Sequence, residues 1–310
     1  MTRFGFAILA ATCLSACAAN TPDATTQPEA QTESDIQTPL QLTEVWALDG
    51  FDAPESVIPT PSGDGYFVSN VGGDSTDADN NGAISLIGRD GTMINRNWVT
   101  GTDTVPLHAP KGMTVVENEK GVTLLVTDVD HVAFILTGEG RLAKRLPAPG
   151  AEFLNDIAKG PDASAFISDS AGDRIYKLEN DAITIWLENE RLGGVNGLQM
   201  VGDRLLATTM RGGELLSIDL ETKAITGLAA GMENADGIGL RSDGSYIITS
   251  WPGQIWHART GEAPELLQDT SSSTVNIDDE LLMNDIYLVD DNLLITPNCM
   301  PGTVRAYRID

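Results

Sequence analysis

The sequence predicts an all-β protein, and more narrowly a six-bladed β-propeller that an N-terminal strand closes within the last blade. A pattern of short apolar strands recurs about every 40 residues, a period typical of propeller blades. The turns between these strands are rich in glycine and proline, of which the chain has 31 and 15; this is typical of all-β domains. Amphipathic runs of ten or more residues are missing from the repeats, which argues against helical repeats of similar length.

Each repeat contains an apolar strand that ends in serine or threonine, and we use this residue as the anchor of the alignment. Successive anchors are separated by 58, 41, 40, 41 and 47 residues. A short turn after the anchor leads to a second strand, such as residues 174–178, and most repeats add an outer strand, such as residues 183–187. The anchors are Ser69, Thr127, Ser168, Thr208, Thr249 and Thr296.

The last repeat reaches Asp310 without an outer strand of its own. Residues 43–48, directly before the first repeat, resemble the missing strand. We therefore expect this segment to complete the sixth blade and close the ring, which removes an exposed sheet edge. An open twisted array or a β-sandwich is the alternative.

The N-terminus resembles the signal sequence of a bacterial lipoprotein. Arg3 supplies a positive charge, and residues 4–14 form an apolar segment that is too short to cross a bilayer. This segment leads to Leu-Ser-Ala directly before Cys17, which resembles a lipobox. We expect removal of a signal peptide, residues 1–16, and lipidation of Cys17. A plain secretory signal peptide with an incidental cysteine is the alternative.

Residues 17–41 are polar and contain several prolines, so we interpret them as a flexible tether from the lipidated Cys17 to a propeller of residues 42–310. Ala18 follows the cysteine. By resemblance to enterobacterial sorting, a residue other than aspartate there implies the outer membrane. The predicted location is the bacterial cell envelope, as a lipoprotein of the outer membrane that faces the periplasm.

The charge balance excludes two classes of partner. The chain has 45 acidic residues against 19 Lys and Arg, and a net charge of −26. Proteins bind nucleic acids and anionic membrane surfaces through clustered lysine and arginine residues. The acidic composition of this chain argues against both kinds of partner. The hydrophobic fraction of 41% is sufficient for a large core. We expect a monomer that binds a small-molecule substrate or ligand and touches the membrane only through its lipid.

One polar position recurs 12 to 16 residues before each anchor, at the start of the innermost strand of each blade. Innermost strands line the central channel of a propeller, so these side chains should converge on its axis. Their oxygen atoms suit Ca²⁺, or another hard divalent cation, better than Zn²⁺ or Cu²⁺. Turn capping is the structural alternative, but it does not account for a glutamate and a lysine in the same register. The six residues are Glu55, Lys111, Asn155, Asn196, Asp236 and Asn284.

These segments resemble the family of gluconolactonase, senescence marker protein and luciferin-regenerating enzyme, and more distantly the paraoxonases. The matching motifs are Glu55 in Ala-Pro-Glu-Ser, Asn155-Asp156, Asn196-Gly197 and Asp236-Gly237. The resemblance implies a six-bladed propeller with an axial Ca²⁺ held by Glu55, Asn196 and Asp236. Asn155 would face the substrate and the water at the ion, and Asp236 would also be the general base.

The chain departs from this family at two positions. Phe153 stands where sugar-lactone enzymes of the family often carry arginine, which makes a charged sugar-acid substrate doubtful. Lys111 stands where the paraoxonases have histidine. Lys111 either faces the substrate above the ion or neutralises a carboxylate and leaves the ring without metal.

We therefore expect a lipid-anchored hydrolase that opens a lactone or related ester at a central Ca²⁺. Its metal ligands would be Glu55, Asn196 and Asp236, completed by Asn155 and Asn284. Asp236 or Glu55 would accept a proton from water, and Asn155 and Lys111 would contact the substrate. A non-catalytic envelope propeller with a structural ion, and a metal-free propeller related to strictosidine synthase, are the alternatives.

Two further features have no assigned function. The acidic loop that contains Asp77, Asp79 and Asn81 begins like a Ca²⁺-binding loop but lacks the glutamate that would complete an EF-hand. We interpret it as a solvated insertion in the first repeat. Cys299 lies in a turn after the sixth anchor and is expected to be a buried, inert thiol.

The lipid anchor predicts the behaviour of one variant. Replacement Cys17→Ser removes the acceptor thiol, so the protein should move from the membrane fraction to the soluble fraction of the envelope. Fractionation by centrifugation, with the unsubstituted chain as control, measures this. Persistent membrane association of the variant would show that the anchor lies elsewhere.

Overall fold

The computed structural model describes residues 39–118, 121–270 and 282–310. A compact unit spans Leu40–Asp310. The predicted signal peptide, Cys17 and residues 17–38 of the predicted tether lie outside the described residues. Within the described part of the chain, no helix is both long enough and apolar enough to span a bilayer.

The described residues form six antiparallel sheets, so the all-β propeller prediction is confirmed. Blades 1 to 5 each have four strands in chain order, from the innermost to the outermost. Blade 1 contains β2 (Pro54–Pro59), β3 (Gly65–Asn70), β4 (Ala83–Gly88) and β5 (Met93–Thr100). Blade 2 contains β6 (Met113–Asn118), β7 (Gly121–Asp128), β8 (His131–Leu136) and β9 (Arg141–Pro147).

The next three blades repeat this arrangement. Two 3₁₀ turns, Pro161–Ala163 and Glu190–Leu192, lie in the connections. Blade 3 contains β10 (Leu154–Lys159), β11 (Ala165–Asp169), β12 (Arg174–Glu179) and β13 (Ala182–Glu188). Blade 4 contains β14 (Val195–Val201), β15 (Arg204–Thr209), β16 (Glu214–Asp219) and β17 (Ile225–Ala230). Blade 5 contains β18 (Ala235–Leu240), β19 (Tyr246–Ser250), β20 (Gln254–Ala258) and β21 (Glu265–Asp269).

The sixth blade joins the two ends of the propeller. Its strands are β22 (Leu282–Met283), β23 (Tyr287–Asp290), β24 (Leu293–Met300) and β25 (Thr303–Ile309), with β1 (Leu42–Asp49) at the outer edge. Strand β1 pairs antiparallel to β25 from Leu42 opposite Ile309 to Asp49 opposite Thr303. The expected closure by the N-terminal strand is therefore confirmed.

The innermost strands touch in sequence around a closed ring. Strand β2 contacts both β6 and β24, β10 contacts β6 and β14, and β18 contacts β14 and β23. Apolar side chains fill the space between neighbouring blades; one cluster joins Leu125 and Val132 of blade 2 to Leu154 and Ile167 of blade 3. Burial of such surface, at about 25 cal/mol per Å², is the main force that holds the blades together.

The sixth blade differs from the repeat pattern at its innermost strand. This strand is broken into β22 and β23, which both pair with β24, and residues 284–286 lie between them. The Asn284 side chain donates a hydrogen bond to the backbone oxygen of Pro54, 3.0 Å away in blade 1. This hydrogen bond joins the innermost segment of blade 6 to the first strand of blade 1, where the ring closes.

Three of the threonine anchors bond the innermost strands of neighbouring blades, whereas Ser69 and Ser168 bond the innermost strands of their own blades. All six side chains are fully buried. The Thr127 hydroxyl donates to the backbone oxygen of Asn155 in the next blade, and Thr208 does the same to Asp236. Thr249 donates to the Asn284 oxygen at 2.8 Å and accepts from the Gly237 N–H at 2.9 Å. In these three repeats, the residue that marks the repeat in the sequence thus also aligns a polar residue of the adjacent blade.

Loss of one such hydroxyl should weaken the whole ring. Thr249→Val keeps the volume of the side chain but leaves a buried N–H and a buried carbonyl without their partner. We expect the free energy of unfolding to fall by about 1–3 kcal/mol, measured by urea denaturation. Thr184→Val, at an exposed position of β13, is the matched control and should have little effect. Equal stability of the two variants would contradict this role for the anchors.

Candidate functional site

All six polar residues predicted from the sequence line a single cavity of about 500 Å³. Each comes from a different blade, as their register suggests. Five of the six residues are buried, with only 2–8% of their surface exposed, and the sixth, Glu55, is half-buried. The residues are Glu55, Lys111, Asn155, Asn196, Asp236 and Asn284. We call this set the polar ring; its metal-binding and catalytic roles remain predictions.

A break in the strand pairing lies at four of the six positions of the polar ring. The register of β2 with β3 shifts between Pro54 and Val57, next to Glu55. Equivalent shifts flank Asn155, Asn196 and Asp236. An irregularity of this kind turns a side chain out of the regular alternation of a strand. Lys111 and Asn284 differ because they lie outside strands, before β6 and between β22 and β23.

Carboxylates at the ends of the second strands hold the loops that lead into the polar ring. Asp128 accepts hydrogen bonds from the N–H groups of His108 and Ala109, at 3.1 and 2.8 Å. Asp169 accepts from Glu152 and Phe153 in the same way, at 3.1 and 2.8 Å. Both carboxylates are fully buried. The loops that precede Lys111 and Asn155 are thereby held in place from within their own blades.

The two carboxylates of the polar ring are electrostatically strained. Burial raises the pKa of Glu55 well above its usual value, and the nearby Asp236 raises it further. Burial likewise raises the pKa of Asp236, with added repulsion from Asp285 and Asp156. Each carboxyl thus resists ionisation unless a cation compensates its charge.

The carboxamides present oxygen atoms with few competing contacts. Asn155 donates from Nδ2 to the Ser170 hydroxyl at 3.2 Å, which leaves its Oδ1 for another partner. This Oδ1, like Glu55 Oε2, is buried without a hydrogen-bond partner among the described residues. A buried acceptor with no partner costs about 1–3 kcal/mol. Both atoms therefore fit an additional ligand.

Lys111 does not hydrogen-bond to either carboxylate of the polar ring. Within the described part of the chain, its Nζ donates to the backbone oxygens of Ser75 and Ala109, at 2.9 and 3.1 Å. Its Nζ also lies 4.7 Å from the centroid of the Phe153 ring. Burial lowers the pKa of Lys111, and the charge of Glu55 opposes this effect. Lys111 thus anchors a loop of blade 1 beside the cavity.

The polar ring fits a hard divalent cation such as Ca²⁺. It offers carboxylate and amide oxygens, which Ca²⁺ prefers, and no imidazole. Glu55 Oε2 and Asn155 Oδ1 are buried acceptors in need of a partner. In the described ranges, no three His, Cys, Asp or Glu side chains cluster to hold a metal ion. An ion in the polar ring would therefore depend on amide oxygens for much of its coordination.

Sequence reasoning missed a second pair of carboxylates, Asp156 and Asp285. Each directly follows an asparagine of the polar ring, and both line a second cavity of about 360 Å³. Asp156 accepts from the N–H groups of Leu198 and Ile157, at 2.6 and 2.7 Å. Asp285 accepts from Ser56 at 2.9 Å. The repeated Asn-Asp dipeptide in blades 3 and 6 was the available signal.

Glycine in the neighbouring blades provides the space for these two carboxylates. A Cβ at Gly112 would lie 2.4 Å from Asp156 Oδ1, and one at Gly237 would lie 2.6 Å from Asp285 Oδ1. Such distances are too short for any side chain. Gly112 and Gly237, which follow Lys111 and Asp236, thus leave the space that these two carboxylates occupy.

The cavity wall also includes Trp251 and Cys299. Burial raises the pKa of the Cys299 thiol to about 11. The thiol is therefore protonated near neutral pH. The expectation that Cys299 is buried is wrong, because its position in the cavity wall leaves it partly exposed.

The acidic insertion of blade 1 is fastened to blade 2. The Asn80 N–H donates to Nδ1 of His108 at 3.1 Å, and Asn80 Oδ1 accepts from the Leu107 N–H at 2.9 Å. Asp79 accepts from the Asn81 side chain at 2.7 Å. Asp74 and Ser75, at the start of the insertion, line the cavity. This insertion therefore forms one side of its mouth.

The buried carboxylates predict how stability depends on pH. Burial raises the pKa of Asp156 from 3.8 to about 8, so the folded protein retains a proton that the unfolded chain releases. Between about pH 4 and pH 8, in the presence of a chelator, stability should therefore fall as pH rises. Asp156→Asn should make this slope shallower, measured by urea denaturation across the range. An unchanged slope would contradict the raised pKa.

Comparison with known proteins supports the fold. No protein-family model matches the chain, and no curated protein matches it. Among solved structures, a streptogramin B lyase has 12% sequence identity and a TM-score of 0.61; the match covers 87% of this chain and 98% of the lyase. A catalytically inactive virginiamycin B lyase from Staphylococcus aureus with quinupristin has 14% identity and a TM-score of 0.56, over 87% and 99%.

A protein provisionally assigned as a gluconolactonase is also similar in structure. It has 13% identity and a TM-score of 0.61, over 87% of this chain and 92% of that one. The structural neighbours thus include a protein assigned to the family that the sequence motifs resemble. At these identities the likeness establishes the fold, which is the six-bladed β-propeller.

Proposed function

We propose that this protein is a metal-assisted hydrolase that opens a lactone or a related ester in the cavity of the polar ring. The observation that carries the proposal is the convergence of two carboxylates and three carboxamides on one cavity, with Glu55 Oε2 buried and unpartnered among the described residues. The structural likeness to an assigned gluconolactonase is in keeping with it. That likeness concerns the fold, so the polar ring carries the chemistry.

Glu55, Asn196 and Asp236 would hold a Ca²⁺ ion, with Asn155 and Asn284 as further oxygen ligands. When bound, such an ion supplies Lewis-acid polarisation of an ester carbonyl and stabilises the charge that develops on its oxygen. An ion held there would also relieve the repulsion between Glu55 and Asp236, which the charge of Lys111 offsets only in part.

The chain's own groups would perform the remaining steps. Asp236 or Glu55 would accept the proton of the attacking water. The charge of the ion would keep these carboxyls ionised, which a general base requires. Asn155 and Lys111 would orient the substrate. Asn155 and Lys111 are buried, which strengthens their polar interactions.

The proposed setting is the bacterial cell envelope. A lipid on Cys17 would hold the propeller at the periplasmic face of the outer membrane, and residues 17–41 would give it reach. The proposed form is a monomer that acts on small molecules. A propeller that binds a small ligand or a partner protein, with a purely structural ion, is the competing function.

The proposal predicts that metal binding and turnover depend on the same residues. Chelation should lower the melting temperature by several degrees, and Ca²⁺ should restore it. Asp236→Asn should abolish this response, and Glu55→Gln should reduce hydrolysis of a lactone or aryl ester by about 10²-fold or more. Calorimetry, metal analysis and an assay of a lactone and aryl-ester panel provide the measurements.

Asp79→Asn is the matched control, because it removes one negative charge from the exposed loop of blade 1 and leaves the polar ring intact. It should retain both the metal response and turnover. Bound Ca²⁺ without turnover of any lactone or ester would support the non-catalytic function. Absence of bound metal in active protein would contradict the role of the ion.

A further inference from the structure

Part of the cavity wall is apolar. This part is formed by Val71, Phe153, Met210 and Trp251, from four different blades. The last three are large side chains that are only partly buried. Because a ligand would cover their remaining exposed surface, an apolar ligand would gain the hydrophobic free energy of that contact.

The polar groups at the mouth are largely occupied by bonds within the protein. Asp74 Oδ1 accepts from both the N–H and the hydroxyl of Thr76, at 2.9 and 2.7 Å. The Lys111 ammonium donates to Ser75 and Ala109. Asp74 Oδ1 and two of the three Lys111 protons are therefore already engaged. The acceptors that remain, Glu55 Oε2 and Asn155 Oδ1, belong to the proposed metal site, so the several hydroxyls of a sugar ring would lack partners, which opposes binding.

The charges that line the cavity would leave no net positive charge once a divalent ion is present, and the carboxyl groups of Asp156 and Asp285 in the adjoining cavity add none. Glu55 and Asp236 are negative, and Asp74 adds a third carboxylate at the mouth. Lys111 and one divalent cation would together balance these three. A charged substrate would then be desolvated without a net opposite charge to receive it, which is unfavourable.

We infer that the cavity selects uncharged lactones or esters with an apolar acyl or aromatic group over polyhydroxylated or carboxylate-bearing ones. The volume of about 500 Å³ lies within the range for drug-sized ligands, so the ring of a lactone and an attached chain fit. This inference rests on the proposed function and specifies its substrate class. Phe153, Met210 and Trp251 are the specificity-determining residues.

The test measures binding separately from turnover, on the full chain with Ca²⁺. The probes are two unreactive δ-lactams, one with a six-carbon alkyl chain and one with hydroxyl groups around the ring. Isothermal titration calorimetry should show at least tenfold tighter binding of the alkyl lactam. Met210→Gln should reduce this preference several-fold. Met300→Gln, at an exposed methionine outside the cavity lining, should leave it unchanged.

Equal or tighter binding of the hydroxylated lactam would overturn the inference, as would a preference that Met210→Gln does not alter. Turnover of the corresponding lactones is assayed in the same preparations. If neither lactone is hydrolysed, the proposed hydrolase function fails, whatever the lactams show. If both are hydrolysed with a higher kcat/KM for the hydroxylated lactone, the function stands and the inferred substrate class is wrong.

Discussion

The buried hydrogen bonds of the anchor hydroxyls are the interaction on which the arrangement of the site depends. Thr127, Thr208 and Thr249 each donate to the backbone of a polar-ring residue in the next blade. Apolar packing between blades is strong but non-directional, so by itself it would tolerate small slips of one blade against the next. A hydroxyl that bonds one particular carbonyl does not tolerate a slip, because a buried acceptor would lose its partner.

The polar ring is locally unfavourable for the fold. Two carboxylates are buried near each other, and a buried Lys111 bonds to carbonyls instead of to them. Asp156 and Asp285 add two more buried carboxyl groups, whose pKa values burial raises to about 8 and about 6. The closed ring of blades imposes this arrangement, since each innermost strand is held on both sides. Strain of this kind, with unpartnered oxygens, is characteristic of functional sites, and a cation would relieve it.

The repeat pattern predicted the fold because each anchor is a serine or threonine at the end of an apolar strand. This combination of residue types can be recognised directly in the sequence. The segment before the first repeat was recognised as the closing strand for the same reason, and β1 pairs with β25. The six residues of the polar ring were found because they share one register. Asp156 and Asp285 were missed because their burial depends on glycines in neighbouring blades, Gly112 and Gly237, which are distant in the sequence.

By itself, the sequence determined the number of blades, the strand that closes the ring, and which side chains meet at the axis. These follow from periodicity, which is a local property of the chain. Only the tertiary structure decided what surrounds those side chains. In the folded chain, Trp251 and Cys299 line the cavity wall. The Lys111 ammonium donates hydrogen bonds to the carbonyl oxygens of Ser75 and Ala109. These contacts join segments far apart in the chain, and their form depends on loop conformation, which residue type and spacing do not encode.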